Sequence, residues 1–307
     1  MSYENTESNS DSSLDKNPDE SISKSTHEKQ GVLYIVATPI GNLGDITQRA
    51  LETLKMADRI CAEDTRNTRK LLTHFGIQGD LQALHDHNER FKVEAVKNWL
   101  DAGEKIALVS DAGTPLISDP GYHLVSELGE LGYNIEPIPG ASAIITALSI
   151  AGLPTDRFTF EGFLPAKNVG RNKALLANLK EPRTQVYYES SHRIAVTIDA
   201  FFEIYGATRK VVLARELTKM YEQVYRGNVA GLQQWISESP MHQKGEFVLM
   251  VAGHIEETES DEINSSIEEL LKILVDELPV KQAASLAAKI TGRKKNELYK
   301  QAMDLRD

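Results

Sequence analysis

The sequence predicts an α/β protein of two α/β domains followed by a small helical segment. Three observations carry that reading. Short apolar runs end in small, turn-forming residues and lead into amphipathic stretches, again and again along the chain. The series is interrupted near residues 152–157, Gly-Leu-Pro-Thr-Asp-Arg, a linker composition. The last forty residues then keep a helical period throughout. A length of 307 residues accommodates two domains of ordinary size.

Composition narrows the class. No run approaches the roughly 18–20 apolar residues of a membrane span, and the N-terminus has no apolar signal-peptide core. Cys61 is the single cysteine, which excludes an internal disulfide and a multi-cysteine metal site. A soluble, cytoplasmic protein with no membrane partner is expected. The net charge of −11 argues at first against nucleic acid, but the charge is unevenly spread. Residues 1–30 carry seven acids and three lysines, whereas residues 279–307 carry seven basic residues and three acids. Local charge governs phosphate contacts more than the total does.

Residues 1–30 are polar and acidic, with too little apolar content to offset ordering, and are read as a disordered tail. The first domain is read over residues 31–151. Val32–Ala37 is a β run. It ends in Thr38-Pro39-Ile40-Gly41-Asn42-Leu43-Gly44-Asp45, and a helix starts near Thr47. Gly41 and Gly44 give G-x-x-G, neither the dinucleotide fingerprint nor a Walker loop, so a cofactor without a pyrophosphate suits this turn better. Arg59–Ala62 is a second strand running into Glu63, Asp64, Arg66 and Arg69. Two acids and two arginines there suit a reaction or a polyanion, and Asp64 or Thr65 as a helix N-cap is the plain alternative. His85 and His87 lack further ligands at metal spacing and read as surface residues; no metal is expected. A helix over 91–102 precedes the buried strand Lys105–Val109. That strand ends in Ser110-Asp111-Ala112-Gly113-Thr114, where small residues let backbone amides approach a ligand. A helix through Leu124 and Leu128, a strand over 133–138 and the turn Pro139-Gly140-Ala141-Ser142-Ala143 follow, before an apolar helix over 143–151. The turns at 38–45, 110–114 and 139–143 would converge on one edge of a parallel sheet, where open α/β sheets bind ligands.

The second domain, 158–254, has strands at Phe158–Phe163, Gln185–Tyr188, Lys210–Ala214 and Phe247–Val251, with helices near 169–180, 192–204 and 228–237. Ser191 is a candidate N-cap, and no acyl-transfer triad or nucleophile elbow is present. Residues 255–266 read as an acidic linker. Over 267–307, Ile267, Leu270, Leu271, Leu274 and Leu278 form one apolar stripe, and Ala283, Leu286, Ala287 and Ile290 a second. Gly292 then leads to the basic stretch Arg293-Lys294-Lys295, an arrangement similar to a helix-turn-helix that contacts nucleic acid. A helical appendage packing on the body or on another subunit is the alternative.

Taken in order, the motifs TPIGNLGDIT (38–47), AEDTRNT (62–68), LVSDAGTPLISDPG (108–121), PIPGASA (137–143), EGFLP (161–165), YYESSHR (187–193), ARELTK (214–219) and GEFVLMVAG (245–253) resemble the tetrapyrrole-methylase-like (class III) S-adenosylmethionine-dependent methyltransferases. Within that superfamily they are similar to the branch that methylates ribosomal RNA, because a Gly-Asp-Pro-type loop of the tetrapyrrole enzymes is here Asp111-Ala112-Gly113-Thr114. The resemblance covers about residues 31–307. It implies two α/β domains of the tetrapyrrole methylase type with the cofactor in the interdomain cleft, in a homodimer. The cofactor it implies is S-adenosyl-L-methionine. The reaction it implies is 2′-O-methylation of a cytidine ribose in the decoding region of 16S rRNA, within the small ribosomal subunit. Carried over, the cofactor-binding residues are Pro39, Ile40 and Gly41; Asp111, Ala112, Gly113 and Leu116; Ser142 and Ala143; and Glu189 and Leu217.

Such a reaction asks little of the protein beyond aligning a ribose oxygen with an activated methyl group. A general base helps, because a 2′-hydroxyl is weakly acidic. Asp64, Glu63 and Lys219 are candidates by chemistry, and Arg66 and Arg69 would hold phosphates. Three other readings compete with this one. A tetrapyrrole or protein side-chain substrate does not need the basic terminal helices. A binding protein that had lost its cofactor would tolerate bulk in the three small-residue loops. A nicotinamide oxidoreductase would carry G-x-G-x-x-G and an acidic ribose anchor.

Overall fold

The structure is a computed structural model that describes residues 31–85, 89–255 and 259–305, the side chains of 89–91 and 259–265 excepted. The acidic tail over 1–30 and His87 lie outside these residues. The chain divides into two units, Met1–Ala143 and Ile144–Asp307.

In the first unit the described strands are β1 (Val32–Val36), β2 (Arg59–Ala62), β3 (Leu81–Ala83), β4 (Lys105–Val109) and β5 (Asn134–Ile138). They form a parallel sheet in the order β3-β2-β4-β1-β5. Its helices are α1 (Gln48–Met56), α2 (Thr65–His74), α3 (Glu89–Asp101) and α4 (Tyr122–Glu130). Strand side chains alternate between two cores. Val36, Ile60, Ala62, Ala107, Val109 and Ile138 pack with Ala50 and Leu54 of α1 and Leu72 of α2. Leu33, Cys61, Ile106 and Leu108 pack with Val93, Val96 and Leu100 of α3 and Leu124 and Leu128 of α4. Both faces are therefore covered, which is why the parallel strands read as continuous apolar runs. Each fully buried leucine contributes roughly 2 kcal/mol of transfer free energy.

This topology positions the site. After β1 the chain turns to α1 on one face, and after its neighbour β4 it turns to α4 on the other. Divergence of two adjacent connections to opposite faces opens a crevice at the carboxyl ends of the strands.

The second unit opens with α5 (Ala143–Ala151), which starts at the last residue of the first. Its described strands are β6 (Phe158–Phe163), β7 (Thr184–Ser190), β8 (Lys210–Arg215), β9 (Gln223–Asn228) and β10 (Glu246–Val251), in the order β6-β7-β10-β8-β9. Only β6 and β7 pair in parallel; the other pairs are antiparallel. One core, with Tyr187, Leu213 and Leu249, is built against α6 (Asn168–Ala177), α7 (Ile194–Tyr205) and α8 (Val229–Glu238). Strand β9 was absent from the sequence reading. Its residues are mostly exposed, and backbone pairing to β8 holds it. The N-cap position of α7 is Arg193, not Ser191, and no side chain caps it.

Helices α9 (Glu259–Glu277), α10 (Val280–Thr291) and α11 (Lys295–Asp304) share a core of their own around Leu271, Ala284, Ala287 and Leu298. Helix α9 begins inside the segment read as a linker, since acidic residues suit the positive end of a helix. Gly292 at φ 72° ends α10 and makes the turn to α11.

Candidate active site

Backbone joins the loops after β1 and β4 beside the crevice. Thr38 N–H donates to the Gly113 carbonyl at 2.9 Å, and Gly113 N–H returns to the Thr38 carbonyl at 3.1 Å. Thr38, only 2% exposed, also donates its Oγ1 to the Ser110 carbonyl at 3.3 Å. Thr114 Oγ1 donates to the Ala141 carbonyl at 3.1 Å, which fastens the loop after β4 to the loop after β5. Gly113 takes φ 80°, and a Cβ there would stand 3.3 Å from Ile40 Cγ2. The turns at 38–45, 110–114 and 139–143 therefore meet at one sheet edge. Pro39 and Ile40 are buried beneath it, while Gly41, Asp111 and Ala112 are exposed. Ser142 and Ala143, half-buried, lead into α5.

Asp111 brings in a fourth loop. Its Oδ1 accepts from Asp64 N–H at 3.1 Å, and its Oδ2 accepts from Asn67 Nδ2 at 2.9 Å. Asp64 is the N-cap of α2, accepting from Arg66 N–H at 2.8 Å. The Arg66 guanidinium also grips that carboxylate, with Nη2 to Oδ2 at 2.6 Å. These hydrogen bonds from Arg66 hold Asp64 at a pKa of about 2, below the usual carboxylate range. Such a carboxylate is a weak proton acceptor, so the geometry gives Asp64 a fastening part. Glu63, next to it, is half-buried and engaged.

In the second unit, Glu189 is the last residue but one of β7, with its side chain 1% exposed. Its Oε2 accepts from Thr197 Oγ1 at 2.7 Å, and its Oε1 accepts from Ser190 N–H at 2.7 Å and Arg193 Nη2 at 2.8 Å. This carboxylate is committed to the start of α7. Leu217 is buried in the loop between β8 and β9. Lys219, on the same loop, bridges Glu216 Oε1 at 3.0 Å and Glu246 Oε2 at 2.9 Å. Burial pulls the Lys219 pKa down, but the two carboxylates outweigh it and raise it. Lys219 is therefore a cation at neutral pH and not a base.

Backbone strain marks the same two loops. Among the described residues, the non-glycine residues at positive φ are Leu116 (73°), Ser118 (67°), Glu216 (50°) and Thr218 (64°). The first two follow β4; the other two flank Leu217. Such conformations persist only where the surroundings over-determine them, and they cluster at functional sites. Here Thr218 N–H donates to Glu222 Oε2 at 2.6 Å and Lys219 N–H to the Glu216 carbonyl at 3.0 Å. Buried Arg215 adds a bond from Nη1 to the Tyr221 carbonyl at 3.0 Å.

Sequence reasoning missed Thr38, Asn67, Thr114 and Arg215 as organisers of these loops. The signal for Thr38 was a hydroxyl just past a buried strand, and for Thr114 a hydroxyl within a small-residue turn; Asn67 and Arg215 gave none.

Residues 32–233 match the family model described as tetrapyrrole (corrin/porphyrin) methylases, which is more than half of the chain. The chain belongs to the tetrapyrrole methylase family. Residues 261–306 match a second model, described as the RsmI C-terminal HTH domain. The tetrapyrrole methylase fold is also seen in solved structures. Diphthine synthase superposes with a TM-score of 0.56 at 16% identity, covering 72% of this chain and 90% of that one. The methyltransferase CobJ gives 0.52 at 16% identity, over 73% and 94%. Sequence relatives are far nearer. Ribosomal RNA small subunit methyltransferase I of Escherichia coli O157:H7 is 53% identical over 92% of this chain and 98% of its own length. The protein of the same name from Pasteurella multocida (strain Pm70) is 50% identical over 89% and 97%. That of Synechocystis sp. is 44% identical over 90% and 98%. Among the described residues, no helix is long and apolar enough to cross a membrane.

Proposed function

We propose that this protein transfers a methyl group from S-adenosyl-L-methionine to the ribose 2′-hydroxyl of a cytidine in the decoding region of 16S rRNA. In this reading it acts in the cytoplasm as a homodimer on the small ribosomal subunit. The observation that carries the reading is similarity to rRNA small subunit methyltransferases at 53% identity over 92% of this chain, with the terminal helices matching a model of their own.

The strand-end residues fit the cofactor. Asp111 is exposed and has donated only part of its acceptor capacity to Asp64 and Asn67, which leaves lone pairs for an ammonium group. Ala112, Gly113 and Gly41 keep the approach free of bulk. Pro39, Ile40, Leu116, Ser142 and Ala143 would complete the first unit's share. The cofactor supplies a methyl group already activated by its sulfonium charge. The chain's own residues must then hold the ribose oxygen in line, which can account for much of the barrier lowering. Asp64 and Arg66 are assigned to positioning, because the carboxylate's pKa of about 2 makes it a poor acceptor. Glu63 is the proposed acceptor of the ribose proton. Lys219, a cation, fixes the loop that carries Leu217.

The test offers tritium-labelled S-adenosylmethionine with assembled small subunits, naked 16S rRNA and a tetrapyrrole extract, all from cells lacking the enzyme. Label in rRNA that protects the adjacent linkage from alkaline cleavage supports ribose methylation. Label only in the small-molecule fraction overturns it.

A further inference from the structure

Helix α2 carries a solvent face at odds with the charge of the whole protein. The chain is net −11, yet Arg66, Arg69, Lys70 and His74 fall within α2 and no acid lies between Thr65 and His74. Thr68 and Leu72 turn inward, while Arg66, Arg69, Lys70, Thr73 and His74 are exposed. At about 100° per residue, Arg66, Lys70 and Thr73 project within roughly 60° of one another, with Arg69 beside them. Asp64 pairs with Arg66, but neither Arg69 nor Lys70 has a carboxylate partner among the described residues.

A charged helix face is most often merely solvated. Here the helix is also tied to the candidate active site. Asp111, on the loop after β4, holds the first turn of α2 through Asp64 N–H at 3.1 Å and Asn67 Nδ2 at 2.9 Å. The basic row thus starts at the strand-end crevice, runs away from it and keeps a set direction. Its solvent face lacks the apolar centre a protein partner would require.

We propose that α2 is a guide rail for the ribose–phosphate backbone of the substrate RNA. Arg69 and Lys70 neutralise phosphates beside the nucleotide presented at the crevice, and the Asn67–Asp111 clamp sets the rail's register. The proposal rests on the RNA reading above. Phosphate contacts position a nucleic acid without reading its sequence, which suits an enzyme that must hold one nucleotide still.

The experiment compares wild-type protein with the Arg69→Ala/Lys70→Ala double variant and with Lys55→Ala, an exposed lysine on α1. Affinity for undermethylated small subunits is measured between about 50 and 200 mM salt. Each phosphate contact adds roughly 0.7–0.9 to the slope of log affinity against log salt, so removing two shrinks the affinity loss over that range by about tenfold. The expected result is that reduction for the double variant alone, with a raised KM and unchanged S-adenosylmethionine affinity and Tm. The swap Arg69→Lys/Lys70→Arg restores the slope. An unchanged slope in the double variant, or an equal change in Lys55→Ala, overturns the proposal. Absence of RNA label with the wild-type protein would instead defeat the functional reading, so the two failures are distinguishable.

Discussion

Replacing Gly113 by alanine strikes the point where the loops after β1 and β4 cross. Gly113 takes φ 80°, and a Cβ there would meet Ile40 Cγ2 at 3.3 Å and the Ala141 carbonyl oxygen at 3.6 Å. Left-handed backbone in an L-residue costs roughly 1–2 kcal/mol. Crowding the buried Ile40 adds about 1 kcal/mol, the low end for overpacking, because a few tenths of an ångström of yielding relieves it. The stiffer unfolded chain offsets about 0.4–1 kcal/mol. The net destabilisation is about 1–2.5 kcal/mol, a fall of roughly 3–10 °C in Tm for a unit of this size. Gly76→Ala is the comparison. Gly76 also has positive φ (63°), but nothing lies within 4 Å of its added Cβ, so it carries the conformational cost alone. Calorimetry reads the two Tm values. Titration calorimetry with S-adenosylmethionine reads the site, where displacing the Thr38–Gly113 bridge is expected to weaken binding by about tenfold or more, about 1.4 kcal/mol. Equal Tm losses in the two variants with wild-type cofactor affinity in Gly113→Ala would refute the reasoning.

Three further outcomes are expected. Asp64→Ala lowers single-turnover methyl transfer far more than cofactor affinity, because it unties Arg66 and the N-terminus of α2; a wild-type single-turnover rate removes Asp64 from the mechanism. Lys219→Gln lowers the rate without changing the shape of the pH profile between about pH 6 and 9, since a lysine with a raised pKa stays protonated there. Its pairing stabilises the folded protein below the unfolded lysine pKa and is lost only as pH rises through the raised value; disappearance of an acidic limb, the rise of rate with pH, in the variant would reinstate Lys219 as the base. Glu189→Gln leaves Arg193 without its buried counter-charge and destabilises by about 3 kcal/mol, or roughly 6–12 °C in Tm; a scanning trace unchanged from wild type would show that the Thr197, Ser190 and Arg193 bonds carry little.

Much of the fold is written in local patterns. The apolar runs of β1 and β4 need burial on both faces, and the small residues after them need a turn, so strand, loop and helix are each over-specified. The start of α2 was legible because Asp64 has the chemistry of an N-cap. Strand β9 was not, because Gln223, Arg226 and Asn228 leave no alternation, and its pairing is a property of β8's backbone. Strand β3 is three residues long, too short for any period to register. The candidate site was legible as three small-residue turns, but its wiring was not. Asp111 reaches Asp64 across 47 positions and Asn67 across 44, contacts that no local pattern encodes. The commitment of Glu189 to α7 likewise depends on Thr197 arriving from the next helix.

The left-handed backbones at Leu116, Ser118, Glu216 and Thr218 have a consequence for directed evolution. Glycine or asparagine tolerates that conformation far better, so a population selected for heat resistance alone should drift toward those residues at these four positions. A lineage selected for methyl transfer should resist the drift. Sequencing the two lineages would separate the demands of folding from those of activity without a ligand ever being observed.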